Sequence, residues 1–277
     1  MSIESKLVNA ISDIEGRISG ITDQPFKDKW VSILGDSIST FNGWIPEGNE
    51  TKYPYSTVDN VNKTWWWLLL TKLGAKLCVN NSWSGRAVSS ESSVDSAAQN
   101  AITKLHREAG QTYINLDGTT EVATQTQNPD FILILLGIND FNGDVPVGTV
   151  ALNKNKVFSN DDFAKSYEAL IMNITGSKYP SAHIYCLNIA FASNKYGFLA
   201  NNGGGSKLIE YRKAIEEIAR AYECQVLHLD RLGIHEANIS AYSPDKLHPF
   251  TGMMRMIAAQ CYSEMMASNC NKEPMNL

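Results

Sequence analysis

The residues best suited to chemistry lie in two short motifs at opposite ends of the sequence. Ser37 closes the motif Leu34-Gly35-Asp36-Ser37, which follows an apolar run. Asp245 and His248 stand three residues apart, a spacing that lets both side chains reach the same region within one turn. A hydroxyl, an imidazole and a carboxylate together can carry nucleophilic acyl transfer, because the carboxylate orients the imidazole that removes the hydroxyl proton.

Both motifs also have ordinary structural explanations. A Gly-Asp-Ser sequence suits a turn whose Asp or Ser caps a helix. A lone histidine is commonly a structural or surface residue, and we expect this of four histidines: His106, His183, His228 and His235. The combination of motifs therefore carries more weight than either one alone.

Two further motifs contain groups that could bind a developing negative charge. Asn139, in Gly137-Ile138-Asn139-Asp140, follows another apolar run, and its side-chain amide can donate to an oxyanion. Gly85 follows Asn80-Asn81-Ser82-Trp83-Ser84; it lets a ligand approach the backbone closely and offers an N–H donor. The alternatives are an Asx turn at Asn139 and an ordinary loop glycine at Gly85.

The elements that must position these groups are short apolar runs that alternate with helical patterns. Five runs predict strands buried on both faces: Trp30–Leu34, Ala75–Asn80, Phe131–Leu136, His183–Ile189 and Cys224–Leu229. Helices are predicted, with N-caps at Asp161 and Ser206, over Thr64–Leu73, Val94–Glu108, Asp161–Lys178, Ser206–Tyr222 and Thr251–Ser268. Five β–α repeats predict a parallel sheet with helices on both faces and a ligand site beyond the carboxyl ends of the strands.

The order of the four motifs resembles the SGNH hydrolase (GDSL-like esterase/lipase) superfamily over about residues 30–266. The resemblance implies a three-layer α/β/α sandwich with a five-stranded parallel, flavodoxin-like sheet. It implies Ser37 as nucleophile, His248 as general base and Asp245 as its orienting acid. The Ser37 N–H, Gly85 and Asn139 would form the oxyanion hole, and neither a metal nor an organic cofactor is implied. Ile38 stands where many members have Leu.

The family resemblance leaves the ester open, because its members cleave lipid esters, thioesters and sugar acetyl groups. The polar segment Phe41–Lys63 carries three candidate substrate-binding aromatic residues, Trp44, Tyr53 and Tyr55, whose rings would suit sugar faces. No extended apolar loop resembles a lipase lid. We therefore expect O-acetyl groups on a carbohydrate as substrate. The alternatives are a general short-chain acyl esterase, lipase or thioesterase and a non-catalytic glycan-binding module, and the aromatic residues could also simply pack the loop.

The first residues form a separate pattern. Leu7, Ile11, Ile14, Ile18 and Ile21 alternate spacings of four and three, which is an a/d heptad seam. Residues 1–24 are therefore predicted as an amphipathic helix, and residues 25–277 as the hydrolase domain. The helix would either join copies of the chain into a homo-oligomer through residues 7–21 or dock on its own domain.

Composition excludes several classes of partner. The net charge is −5 and no stripe of Lys and Arg appears, so no nucleic-acid partner is expected. No apolar stretch reaches the ~20 residues that cross a membrane, and no secretory signal is visible, so we expect a soluble chain of open localisation. Five cysteines without Cys-x-x-Cys spacing argue against a zinc site or a disulfide framework.

Overall fold

The centre of the fold is a five-stranded parallel sheet. The computed structural model describes residues 24–89, 101–152, 162–189 and 193–270. Seven strands lie within these ranges: β1 Trp30–Gly35, β2 Lys76–Asn80, β3 Thr112–Ile114, β4 Thr120–Val122, β5 Phe131–Leu135, β6 His183–Leu187 and β7 Gln225–Leu227. The central sheet has the order β2-β1-β5-β6-β7, and every pair in it is parallel. The predicted five-stranded parallel sheet is therefore confirmed.

Helices cover both faces of this sheet. They are α1 Trp65–Leu73, α2 Ile138–Asn142, α3 Phe163–Asn173, α4 Leu208–Ala221 and α5 Thr251–Cys270. A π-helical turn, Ile174–Lys178, continues α3, and 3₁₀ turns lie at Ser37–Ser39, Val61–Lys63, Ile102–Lys104, Leu229–Arg231 and Ile239–Ala241. Helix α1 packs against α5, and α3 against α4, which gives the two outer layers of the expected α/β/α sandwich.

Strand β1 determines where a ligand site can form. It lies between β2 and β5, and all of its residues except Trp30 are buried. The chain runs from β1 to β2 on one side and from β5 to β6 on the other, and such a reversal of strand order places a crevice at the carboxyl ends of β1 and β5. Ser37 follows β1 at this point. Gly35 pairs with Leu135, so Gly137 and Asn139 follow the neighbouring strand at the same edge.

The turn after β1 depends on close packing around Ser39. A Cβ atom on Gly35 would lie 2.5 Å from Ser39 Oγ and 2.7 Å from Ser39 Cβ, so only glycine fits there without displacement. The indole N–H groups of Trp65 and Trp66 donate to Ser39 Oγ and Ser39 O, at 3.2 and 2.9 Å. Two tryptophans at the start of α1 therefore support the turn that carries Ser37.

Two expected helix starts differ in the structure. The N-cap of α3 is Asp162, whose side chain accepts from Lys165 N at 2.6 Å, whereas Asp161 lies outside the described residues. Helix α4 begins one residue later than a cap at Ser206 would require, and Ser206 Oγ instead accepts from Val147 N at 2.9 Å. In both cases the tertiary contacts select the cap among neighbouring polar residues.

The part of the predicted helix Val94–Glu108 that covers residues 94–100 lies outside the described residues, and the prediction is wrong at its carboxyl end. After the 3₁₀ turn Ile102–Lys104 the chain becomes extended, and Arg107 pairs with Gln127 in an isolated bridge. The buried Arg107 side chain donates to Cys78 O at 2.9 Å and Leu77 O at 2.7 Å, on the edge strand β2. These contacts draw the backbone out of the helix. The antiparallel hairpin formed by β3 and β4, which follows this segment, was not predicted.

The first described residues enter the fold away from the crevice. The ring of Phe26 packs 4.9 Å from that of Phe131, which is the first residue of β5. The chain thus enters near the amino-terminal ends of the strands. The helix predicted over residues 1–24 lies outside the described residues except for Gln24, so the helix and its oligomer through residues 7–21 stay predictions. Within the described ranges, no helix has the length and apolar character needed to cross a bilayer.

The packing at Gly35 predicts a stability cost. Gly35→Ala should lower the free energy of unfolding by about 1–3 kcal/mol, because the added methyl group must displace Ser39. Gly176→Ala is the matched control, since a Cβ there meets no atom within 4 Å. Urea titration of both variants checks this, and an unchanged midpoint for Gly35→Ala would contradict the tight approach.

Candidate active site

Ser37, His248 and Asp245 form a continuous chain of hydrogen bonds. Ser37 Oγ lies 2.9 Å from His248 Nε2, and His248 Nδ1 lies 2.6 Å from Asp245 Oδ2. Ser37 and His248 are both buried, with 4% and 8% of their surface exposed. The structure thus brings the three residues together as the sequence motifs predict. With Nδ1 donating to the carboxylate, Nε2 is free to accept the serine proton.

The turn of Asp245 and His248 is held by the aspartate itself. Asp245 Oδ1 accepts from the backbone N–H groups of Leu247 at 3.1 Å and His248 at 2.7 Å. Its second oxygen, Oδ2, remains for the imidazole. One carboxylate therefore closes the local turn and orients the ring, which explains why a spacing of three residues suffices.

Burial and charge oppose each other at both members of this pair, and both pKa values end below their ordinary values. Burial lowers the pKa of His248 below its ordinary 6.5, the hydrogen bond and charge of Asp245 raise it, and the charge of Lys52 lowers it again. Burial tends to raise the pKa of Asp245, but bonds from His248 and the charge of its ring outweigh this, and the pKa falls to about 2. At neutral pH the pair is therefore a carboxylate beside a neutral imidazole.

The structure describes all three groups that the sequence analysis predicts as oxyanion donors. Asn139 Nδ2 donates to Arg86 O at 2.9 Å, which fixes the orientation of the amide and leaves its second N–H for another acceptor. Gly85 has φ +85°, which favours glycine, and a Cβ there would meet no atom within 4 Å, so the space beside its Cα is open. Among the described residues, the backbone N–H groups of Ser37 and Gly85 have no acceptor. Such donors can stabilise a tetrahedral anion.

Asp140 connects the two donor loops. Its carboxylate accepts from the backbone N–H groups of Val88, at 2.9 Å to Oδ2, and Ser89, at 2.8 Å to Oδ1. Asn139 and Asp140 therefore bind the loop of Gly85 at successive positions. Burial raises the pKa of Asp140, although these N–H bonds act to lower it. Asp140 is part of the motif that contains Asn139, but the motif by itself does not predict this role.

A second pair of buried charges lies beneath the site. Asp36 Oδ1 accepts from Ile38 N at 3.0 Å, and burial raises the pKa of Asp36 to about 7, against the effect of the Arg86 charge. Burial lowers the pKa of Arg86 to about 10, which Asp36 partly opposes. Arg86 also donates to Asn81 O. The attraction between Asp36 and Arg86 therefore acts between the nucleophile turn and the loop after β2.

The three aromatic residues proposed for substrate binding occupy different surroundings. Tyr53 is fully buried and its hydroxyl donates to Pro249 O at 3.1 Å, so its ring is a packing group and not part of a cleft rim. Trp44 lines a groove of 610 Å³ along β2 that includes none of Ser37, Asp245 and His248. Tyr55 is half-buried, and its ring centroid lies 6.4 Å from that of His248. Of the three, Tyr55 is therefore the one placed beside the histidine.

No cluster of three or more His, Cys, Asp or Glu side chains that could hold a metal ion occurs within the described ranges. The described cysteines, Cys78, Cys186, Cys224 and Cys261, are unpaired thiols.

The sequence matches the model of the family described as GDSL-like lipase/acylhydrolase over residues 29–265. No curated protein sequence matches the chain. The match covers all four motifs discussed above.

Solved structures share this fold at low identity. A protein of Bacteroides ovatus described as a GDSL-like lipase is 22% identical, with a TM-score of 0.60, over 87% of this chain and 99% of its own. A similarly described protein of Bacteroides uniformis is 24% identical, with a TM-score of 0.59, over 87% and 96%. A family two carbohydrate esterase of Clostridium thermocellum is 16% identical, with a TM-score of 0.53, over 88% and 65%. At these identities the likeness concerns the fold.

The contact between Asp245 and His248 predicts a shift in titration. Asp245→Asn should lower the pKa of His248 further, because the carboxylate that favours the imidazolium is removed while burial and Lys52 remain. NMR titration of the His248 ring measures this directly. Asp59→Asn is the control, since Asp59 is exposed and pairs with Lys63. An unmoved His248 resonance midpoint in Asp245→Asn would refute the electrostatic contact.

Proposed function

The chain belongs to the GDSL-like lipase/acylhydrolase family, whose members hydrolyse esters, and on that premise we propose that it is a serine esterase that removes O-acetyl groups from a carbohydrate. The observation that supports the serine mechanism is the pair of hydrogen bonds joining Ser37 to His248 at 2.9 Å and His248 to Asp245 at 2.6 Å.

In the acylation step, Ser37 Oγ attacks the ester carbonyl carbon while His248 Nε2 takes its proton. The carbonyl π electrons move to the oxygen, which the Ser37 N–H, the Gly85 N–H and the free Asn139 N–H would receive. The intermediate collapses, the C–O bond to the alcohol breaks, and His248 returns the proton to the departing oxygen. Asp245 remains ionised and stabilises the imidazolium throughout.

Deacylation repeats these roles with water. His248 removes a proton from a water molecule, whose oxygen attacks the acyl carbon of the Ser37 ester. The second tetrahedral intermediate uses the same three donors. Its collapse releases the carboxylic acid and returns the proton to Ser37 Oγ. The low pKa of His248 supports this cycle, because a general base must be unprotonated at the working pH.

Support for a short acyl group on a sugar comes from the segment 41–63. Besides the buried Tyr53, it places Lys52, Tyr55 and Thr57 near the Asp245–His248 turn, and all of these side chains carry polar groups. A partly exposed tyrosine beside the histidine suits a sugar face better than a fatty chain. Tyr55 therefore stays a proposed substrate contact, whereas the buried Tyr53 does not.

The mechanism predicts a specific covalent adduct. Ser37→Ala should reduce turnover by ~10⁴-fold or more with the fold retained, because no other group supplies the attacking oxygen. A fluorophosphonate should add its mass to the peptide containing Ser37, as read by mass spectrometry. Ser177→Ala, at an exposed serine that bonds to Asn173 O, should leave both results unchanged. Labelling elsewhere, with Ser37→Ala still active, would contradict the assignment.

Acyl-chain preference tests the substrate proposal. The p-nitrophenyl acetate should be hydrolysed about tenfold or more faster than the octanoate, because no apolar chain site is expected beside the triad. Acetylated glycans should release acetate at rates above the Ser37→Ala background. Equal rates on octanoate would favour a lipase, and acetate release from the chromogenic ester alone would favour a general short-chain esterase. Glycan binding without turnover by the native chain would favour a binding module.

A further inference from the structure

The segment 41–63 bonds to the turns that carry each part of the site. The backbone N–H of Lys52 donates to Thr40 Oγ1 at 2.8 Å, and Thr40 Oγ1 donates to Ser37 O at 2.9 Å. On the other side, Glu50 O accepts from Ser84 N at 2.9 Å, next to Gly85. The segment therefore contacts both the nucleophile turn and the loop of the expected oxyanion donor.

The same segment also holds the turn of Asp245 and His248. Tyr53 donates to Pro249 O, and Thr57 binds Thr251 through two hydrogen bonds, at 2.9 and 2.6 Å. Lys52 directly precedes Tyr53, and its backbone is already fixed at Thr40. The contacts at Thr40 and Pro249, on either side of this residue, thus set the position of its side chain against the turn.

The ammonium group of Lys52 lies beside the oxygen that orients the histidine. Lys52 Nζ is 3.8 Å from Asp245 Oδ2 and 3.9 Å from the centroid of the Tyr55 ring. Its side chain is only 26% exposed. The cation is therefore confined between a carboxylate and an aromatic face, which both favour it.

Few other charges face the imidazole. The charges that act on His248 are those of Asp245 and Lys52, and the Tyr55 ring lies 6.4 Å from the imidazole. The buried Tyr53 lies within the influence of Asp245, Asp36 and Tyr55. Lys246, the neighbour of Asp245 in the turn, instead pairs with Glu236 at 2.8 Å. Within the described part of the chain, Lys52 is thus the positive charge that opposes the Asp245 carboxylate at this ring.

We propose that Lys52 is a positioning residue of the Asp245–His248 pair: its ammonium group holds the carboxylate against the imidazole and offsets part of the negative charge beside the ring. The inference deepens the proposed function, and its catalytic consequence rests on it. Without the cation, the uncompensated carboxylate would favour the imidazolium, and the working form of the base would appear only at higher pH.

The test compares three lysine variants. Lys52→Met removes the charge and keeps an unbranched stem, Lys52→Arg keeps the charge, and Lys63→Met removes a charge of the same segment that pairs with Asp59. The pKa of His248 is read by NMR titration, and the ascending limb of kcat/KM is followed over pH for an acetyl ester. If Lys52→Met does not fold, Lys52→Gln replaces it.

Lys52→Met should move both midpoints upward by roughly half a pH unit, as expected for one partly solvated charge several ångströms away. Lys52→Arg should keep both near the native values, and Lys63→Met should leave them unchanged. In 1 M salt the difference between Lys52→Met and the native chain should shrink, because a partly exposed charge is screened.

Unmoved midpoints in Lys52→Met, or an equal shift in Lys63→Met, would overturn the inference. So would a Lys52→Arg variant that behaves like Lys52→Met, because the effect would then not follow the charge. The NMR titration does not depend on turnover. A failed serine mechanism would therefore appear as activity retained in Ser37→Ala, whereas a failed inference would appear as an unmoved His248 titration.

Discussion

The hydrogen bond between Ser37 Oγ and His248 Nε2 joins residues 211 positions apart, and most of the structure around it holds its two ends. At one end, β1 is paired on both sides, and Gly35 lets the following turn pack onto Ser39. At the other end, Asp245 closes its own turn and fixes the ring. A proton can pass between the two only at hydrogen-bond distance, so small displacements at either end would matter.

Buried ionisable side chains explain why the loops of the site form so many internal hydrogen bonds. Asp36, Arg86 and Asp140 are each about 1% exposed or less, and an unpaired buried charge is costly. Asp140 is satisfied by two backbone N–H groups of the loop after β2, and Arg86 donates within the same loop. The backbone groups that bond to Asp140 and Arg86 belong to the loop that carries Gly85, which is one of the proposed oxyanion donors. Stability and the geometry proposed for catalysis thus depend on the same contacts.

The segment 41–63 makes contacts that its composition does not predict. Polar residues and aromatic rings after a nucleophile motif predict a segment that binds substrate. In the structure, Tyr53 faces inward to Pro249 and Lys52 faces Asp245, so much of the segment supports the histidine turn. Tyr55 remains beside His248, where substrate contact and support for Lys52 are compatible.

Local patterns determined the strands, the fold class and the pairing of Asp245 with His248, whereas the order of the motifs, through the family resemblance, grouped Ser37 with them. Doubly buried parallel strands are continuous apolar runs, and an Asp three residues before a His closes one turn, so both features are readable over a few residues. Helix caps, the β3–β4 hairpin, the extended chain at Arg107 and the burial of Tyr53 were decided by the tertiary structure. The partner of Tyr53 lies 196 positions away, and Lys52 meets Asp245 only because two loops pack together. Contacts of this kind depend on how distant segments fill space, which no local spacing encodes.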